Sequence, residues 1–158
     1  MTDGITIVPE YAKLDTRLMK LAAALGNTSP MLEEIGIAGE RAVKVNFKSG
    51  GRPDKWRISA RARKQGGQTL MDTGNLRGSV SHEIEGRAVL VGSNVKYGPV
   101  HHFGATITAK RAKFLRFKTP DGFVTTKSVT IPARPWLVLS PKSFGRFNEV
   151  IRTHVEKS

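Results

Sequence analysis

The residues best suited to metal binding or proton transfer are four histidines, His82, His101, His102 and His154. Two of them stand together in YGPVHHFG, residues 97–104, among glycines, a proline and two aromatics. A transition-metal site needs three or four converging ligands, commonly at helical i, i+4 spacing or on paired strands. The chain has no HxxxH or HExxH spacing. Read as a strand, 97–104 would send His101 and His102 to opposite faces, where they do not chelate one ion. Proton transfer needs a carboxylate beside the imidazole, and residues 86–120 contain no Asp or Glu. His82 is followed by Glu83, which diverges from it on a strand. The nucleophile elbow GxSxG and the phosphate-cradling GxxxxGK[ST] and GxGxxG patterns are also absent. The expectation is a protein that is not an enzyme and carries no metal or cofactor.

Charge is the other chemical resource. The chain holds 26 Lys and Arg against 13 Asp and Glu, a formal net charge of +13. Such a surplus favours a polyanion or an acidic protein surface as partner. It concentrates in two clusters. One is Arg52, Lys55, Arg57, Arg61, Arg63 and Lys64. The other is Lys110, Arg111, Lys113, Arg116 and Lys118, interleaved with Phe114 and Phe117. Cations among aromatics can stack on bases, so sequence-independent nucleic-acid binding is one reading. A solvated or interface-forming arm is the other. No RNP, zinc-finger or KH signature is present.

These residues need elements to position them. YAKLDTRLMKLAAAL, residues 11–25, carries Leu14, Leu18, Leu21 and Leu25 at helical spacing, with Gly26-Asn27 as a stop. Ser29-Pro30 restarts the chain as N-cap and first helical residue, with Glu33 and Glu34 in the first turn. That helix runs to about Lys48, with Met31, Ile35, Ala38, Ala42 and Val45 as its apolar face. Residues 49–69 are rich in Gly and cations and read as a long exposed loop anchored by Trp56. MDTGNLRGS reads as a turn into the first strand. The period then changes to two: GSVSHEIEG and RAVLVGSN form a hairpin turning near Glu85-Gly86. A longer hairpin follows, ATITAKRAKFLRFKT against GFVTTKSVTIPA, turning at Pro120-Asp121-Gly122. Pro132 and Pro135 end its last strand. Residues 143–156 form a C-terminal helix with Phe147, Val150, Ile151 and His154 on one side. The fold class is α+β in one domain over residues 1–158. N-terminal helices (10–48) pack on an antiparallel sheet (70–135) that carries a protruding basic hairpin arm.

The absence of cysteine suits a reducing compartment. No apolar run approaches the ~20 residues of a membrane span. The acidic opening MTDGITIVPE lacks the features of a signal peptide, so the expectation is an intracellular protein without a membrane.

Three segments in series, LMDTGNLRGSV (70–80), VLVGSNVKYGPVHHFG (89–104) and IPARPWLVLS (131–140), followed by a closing helix, carry a resemblance. The chain resembles the phage virion morphogenesis family, the tail-completion proteins of Mu-like and P2-like tailed bacteriophages. It is more distantly similar to the neck proteins of long-tailed phages. The matching positions include Leu70, Thr73, Gly74, Leu76 and Ser79, then Tyr97, Gly98, His101, Phe103 and Gly104, then Ile131 through Leu137. The two N-terminal helices and the Lys55-Trp56 loop also correspond. Val138 stands where many relatives have Gly, and the arm 108–127 is not covered.

The resemblance implies a structural virion protein at the head–tail junction, forming a homo-oligomeric ring of six that caps the tail. Its partners would be the tail tube or terminator and the neck or head-completion proteins, with genomic DNA passing nearby. Thr73, Gly74, Tyr97, His101, Phe103, Gly104, Pro132, Arg134, Pro135 and Trp136 then become framework residues. Tyr97, His101 and Phe103 would lie at the start and middle of a strand, and Pro132 and Pro135 would fix a corner in which Trp136 packs and Arg134 is free to pair.

Overall fold

The fold comes from a computed structural model, which describes Met19, Leu21, Ala22 and residues 26–110, 112–119 and 121–157. The helix expected over residues 11–25 therefore lies largely outside the described residues, as do Arg111 and Pro120.

Helix α1 spans Ser29–Ser49 with Thr28 in the N-cap position. Pro30 falls in its first turn, where the missing N–H forfeits no helical bond. Because the helix begins at Ser29 rather than Pro30, Glu33 and Glu34 lie beyond the first turn. Gly50 ends it in the left-handed region, φ 70°, and its N–H bonds the Phe47 carbonyl at 3.0 Å.

The buried face of α1 is not the predicted one. Met31, Ile35, Ala38 and Ala42 are half-buried and Val45 is exposed, whereas Leu32, Gly36, Gly39, Val43, Asn46 and Phe47 are buried. The reason is a close approach. Strands β1 (Val80–Glu85) and β2 (Ala88–Ser93) form a hairpin turning at Gly86, φ 60°, and lie against the helix over its two glycines. A Cβ on Gly36 would come within 2.1 Å of the His82 ring, and one on Gly39 within 2.8 Å of Val91. His82 and Val91 are paired across the two strands. Two glycines three apart thus accept one cross-strand pair.

The second hairpin forms as predicted but in two ladders. Strand β3 (Ala105–Thr108) pairs with β6 (Ser128–Ile131), and β4 (Leu115–Thr119) pairs with β5 (Gly122–Thr126), both antiparallel. Between the ladders the Ala109 N–H donates to the Lys127 carbonyl at 3.1 Å, and pairing restarts at Leu115 opposite Thr126. Among the described residues the expected single sheet is three separate two-stranded sheets.

Three short helices replace predicted loop, turn and strand. Helix α2 (Ala60–Gln65) interrupts the 49–69 loop, capped by Ser59, whose Oγ accepts the Ala62 N–H at 3.2 Å. Helix α3 (Asn75–Gly78) follows Gly74, φ 79°. Helix α4 (Gly98–Phe103) corrects the strand reading of YGPVHHFG: Pro99 suits a helix first turn, and Gly104 (φ 75°) stops it. A Cβ on Gly104 would meet the backbone of Ala133 and Ile131 at 2.7–2.9 Å. Helix α5 (Pro141–Lys157) lies along α1 and buries Val150.

The core is Val43, Phe47, Trp56, Leu76, Val80 and Trp136. Phe47 is fully buried between the two indoles, its ring centre 5.6 Å from Trp56 and 5.9 Å from Trp136. Burying each such side chain contributes about 1.5–3 kcal/mol. Buried polar groups tie the IPARPW segment to the rest. Asn46 donates to the Trp136 carbonyl at 2.8 Å, Trp56 Nε1 to the Pro135 carbonyl at 3.0 Å and Trp136 Nε1 to the Gly98 carbonyl at 2.9 Å. No helix among the described residues is long and apolar enough to cross a membrane.

Candidate functional site

The three resembling segments, distant in sequence, meet at one cleft of about 350 Å³. The first supplies Leu70 and residues 72–76, the second Tyr97 and His101 from α4, the third Arg134. Ser59 and Arg61 from the basic segment complete the wall. Leu70 holds φ 61°, a left-handed conformation costly for a residue with a Cβ.

Arg134 is only 6% exposed. Its Nε donates to the Arg57 carbonyl at 3.0 Å, and its backbone N–H to the His101 carbonyl at 2.8 Å. The terminal guanidinium nitrogens have no partner among the described residues. Burial, with Arg57 nearby, pushes its pKa down. His101 has an edge-on contact with Tyr97, centroids 5.8 Å apart, and its buried Nδ1 has no hydrogen-bond partner. Burial first, and then the Arg134 charge, lower the His101 pKa, which keeps the ring neutral. On the cleft wall Arg61 pairs with Asp72 at 3.4 Å and also donates to the Gln68 carbonyl at 2.7 Å.

The remaining framework residues divide between packing and exposure. Trp136 is buried, Pro132 half-buried and Pro135 exposed except for its bonded carbonyl. Thr73 is exposed, and its Oγ1 accepts the Asn75 N–H at 3.4 Å. Phe103 is 77% exposed at the end of α4, with its ring against His102. His102 accepts the Leu137 N–H at 3.3 Å, and burial lowers its pKa.

Several predicted cations are engaged locally. Lys55 donates to the Ser49 carbonyl, and Lys64 pairs with Asp121 at the tip of the β4–β5 hairpin. That pair joins the two basic clusters, which are separate in sequence. On the hairpin, Arg116 lies over Phe123 at 4.6 Å and Lys113 over Phe114 at 5.8 Å. Lys110 and Lys118 are exposed beside them, as are Arg57 and Arg63 on the first cluster, while Arg52 is half-buried.

The carboxylate partners of His82 escaped sequence reasoning. His82 Nδ1 lies 2.7 Å from Glu40 and Nε2 3.2 Å from Glu33, both on α1, and Glu40 also takes Lys44 at 2.6 Å. The bond to Glu40 leads in raising the His82 pKa, with Glu33 adding and burial opposing. Lys44 and then His82 lower that of Glu40. The legible signal was Glu33 and Glu40, two turns apart on one helix face with Gly36 between them. Among the described residues no group of three or more His, Asp or Glu is arranged to hold a metal ion.

Comparison with known proteins bears on what this arrangement serves. The sequence pattern of the phage virion morphogenesis family matches residues 10–156. The chain is 31% identical over 144 residues to Mu-like prophage FluMu G protein 2 of Haemophilus influenzae, covering 91% of this chain and 90% of that one. No solved structure matches. The chain belongs to the phage virion morphogenesis family and is a structural phage protein.

Proposed function

We propose that this chain completes the phage tail and joins it to the head, as one subunit of a hexameric ring at the head–tail junction. The observation that carries the reading is the pairing of its strands. Among the described residues six strands lie in three two-stranded sheets, so each strand has an edge with no neighbour among those residues. Two-stranded sheets are marginal alone, and an open edge is a template for a strand from another chain. Large apolar side chains are uncovered on the same subunit: Phe103, Phe123 and Phe144 are each more than half exposed. A ring covers such surface by repetition, and closure leaves no free edge for runaway growth. The role involves no reaction. The tail tube or terminator below and the neck or head-completion proteins above are the partners, with DNA passing close by.

The test is assembly in a lysate. Charge reversal at Lys110, Arg111 and Lys113 should leave separate heads and tails under the electron microscope. Unchanged yields of infectious particles would contradict the reading. Sequence-independent nucleic-acid binding is the second reading, favoured by Arg116 stacked on the exposed Phe123 of a basic hairpin. It requires a monomer whose DNA affinity falls steeply with salt.

A further inference from the structure

We propose that the cleft at Arg134 is a receptor for one carboxylate group presented by a neighbouring polypeptide chain. Arg134 is a largely buried cation that lines the cleft; its terminal nitrogens have no acceptor among the described residues and are not among the fully enclosed unpartnered atoms, so they keep contact with solvent. A buried guanidinium without a counter-ion is costly, and the group that satisfies it most completely is a planar anion taking two of its N–H groups at once.

The cleft is charged for a single negative group. Arg61 and Arg134 are cationic and Asp72 anionic, which leaves one positive charge. His101 adds none, because burial and the Arg134 charge hold it neutral. That balance suits a carboxylate better than a phosphate dianion, which would also face Asp72. Tyr97, which carries a hydroxyl, and the His101 ring line the same wall, while the unpartnered Nδ1 of His101 is closed off from solvent. Arg134 cannot swing away to find a partner elsewhere. Its Nε is fixed to the Arg57 carbonyl, and its backbone N–H to the His101 carbonyl.

A polypeptide is the favoured source because a structural phage protein acts through contacts with other chains, and this one carries a surplus of 13 positive charges. Either an Asp or Glu side chain or a chain terminus provides the same group. The proposal deepens the connector reading by naming what a neighbouring chain presents. The two fail separately: a chain that forms no ring can still take the carboxylate, and a ring that refuses it leaves the connector reading standing.

The experiment titrates the full chain, isotope-labelled at its arginine side chains, with blocked tripeptides. One carries a central Glu with an amidated end, one is all-alanine with a free C-terminus, and one replaces the Glu with Gln. Saturable movement of the Arg134 Nε–H resonance with either carboxylate peptide, and none with the Gln peptide, is expected; which of the two acts identifies the source. Tyr97→Phe, at a part-exposed position, should weaken that binding several-fold. Arg134→Lys, which keeps charge but loses the fork, should weaken it about tenfold, read from the Arg61 Nε–H resonance on the same wall. If Arg134→Lys fails to fold, the wild-type titration still decides. No movement with either carboxylate peptide would overturn the proposal. So would equal movement with the Gln peptide, or tighter binding of inorganic phosphate at Arg134, which would instead indicate a nucleic-acid backbone.

Discussion

Two glycines of opposite consequence test the packing of single residues. Gly36→Ala would drive a methyl into the His82 ring, held by Glu40 and Glu33, and should destabilise the fold by about 1–3 kcal/mol in urea unfolding. Gly145 lies on α5 with nothing within 4 Å, so Gly145→Ala should stabilise by about 0.5–1 kcal/mol through helix propensity. Equal effects at both sites would contradict the close helix–hairpin approach. His82 gives a pH signature. Its folded pKa is raised above the ordinary 6.5, so its contribution is complete below that value and lost as pH rises through the folded one. His101 and His102, with lowered pKa values, have the opposite slope. The stability difference between wild type and His82→Gln should therefore shrink from about pH 6 to pH 9. A difference that grows with pH would count against the Glu40–His82 bond. Little of this was legible in the sequence. Glycine carries no hydrophobic signal, and a histidine's partner on another element leaves no local trace.

Among elements, hairpins were the most legible, because the turn at Gly86 and the pairing of Thr119 with Gly122 fix register locally. Both ends of α1 were legible to within a residue, from Pro30 at its start and from the loss of the apolar pattern after Lys48. Its buried face was not, since the structure seats it through Gly36, Gly39 and Asn46, residues that an apolar stripe omits. YGPVHHFG was misread because an isolated six-residue segment with aromatics has no helical period to display, and tertiary contacts decide it. Asn46 offers the element-level test. It anchors the IPARPW segment by bonding the carbonyls of Trp136 and Pro135 at 2.8 and 3.3 Å from a fully buried position. Asn46→Ala should cost about 1–3 kcal/mol and loosen that segment, seen as a red shift in tryptophan emission. Retained stability with unchanged emission would mean that the aromatic core alone holds the corner.

For the molecule as a whole, the α+β class followed from the change of hydrophobic period near residue 80, and the family from three motif segments read in series. Their convergence on one cleft was beyond sequence reasoning, since no local rule relates Thr73, His101 and Arg134. The split into three two-stranded sheets was equally hidden, although it is the feature from which assembly is argued. A subunit with open strand edges and uncovered phenylalanines is expected to find copies of itself, and its net charge of +13 makes that association sensitive to salt. The most direct test is native mass spectrometry of the purified full chain, with negative-stain images of the same sample. The account predicts a closed ring of six subunits. A chain that stays monomeric at tens of micromolar and near-physiological salt, with no rings on the grid, would contradict it.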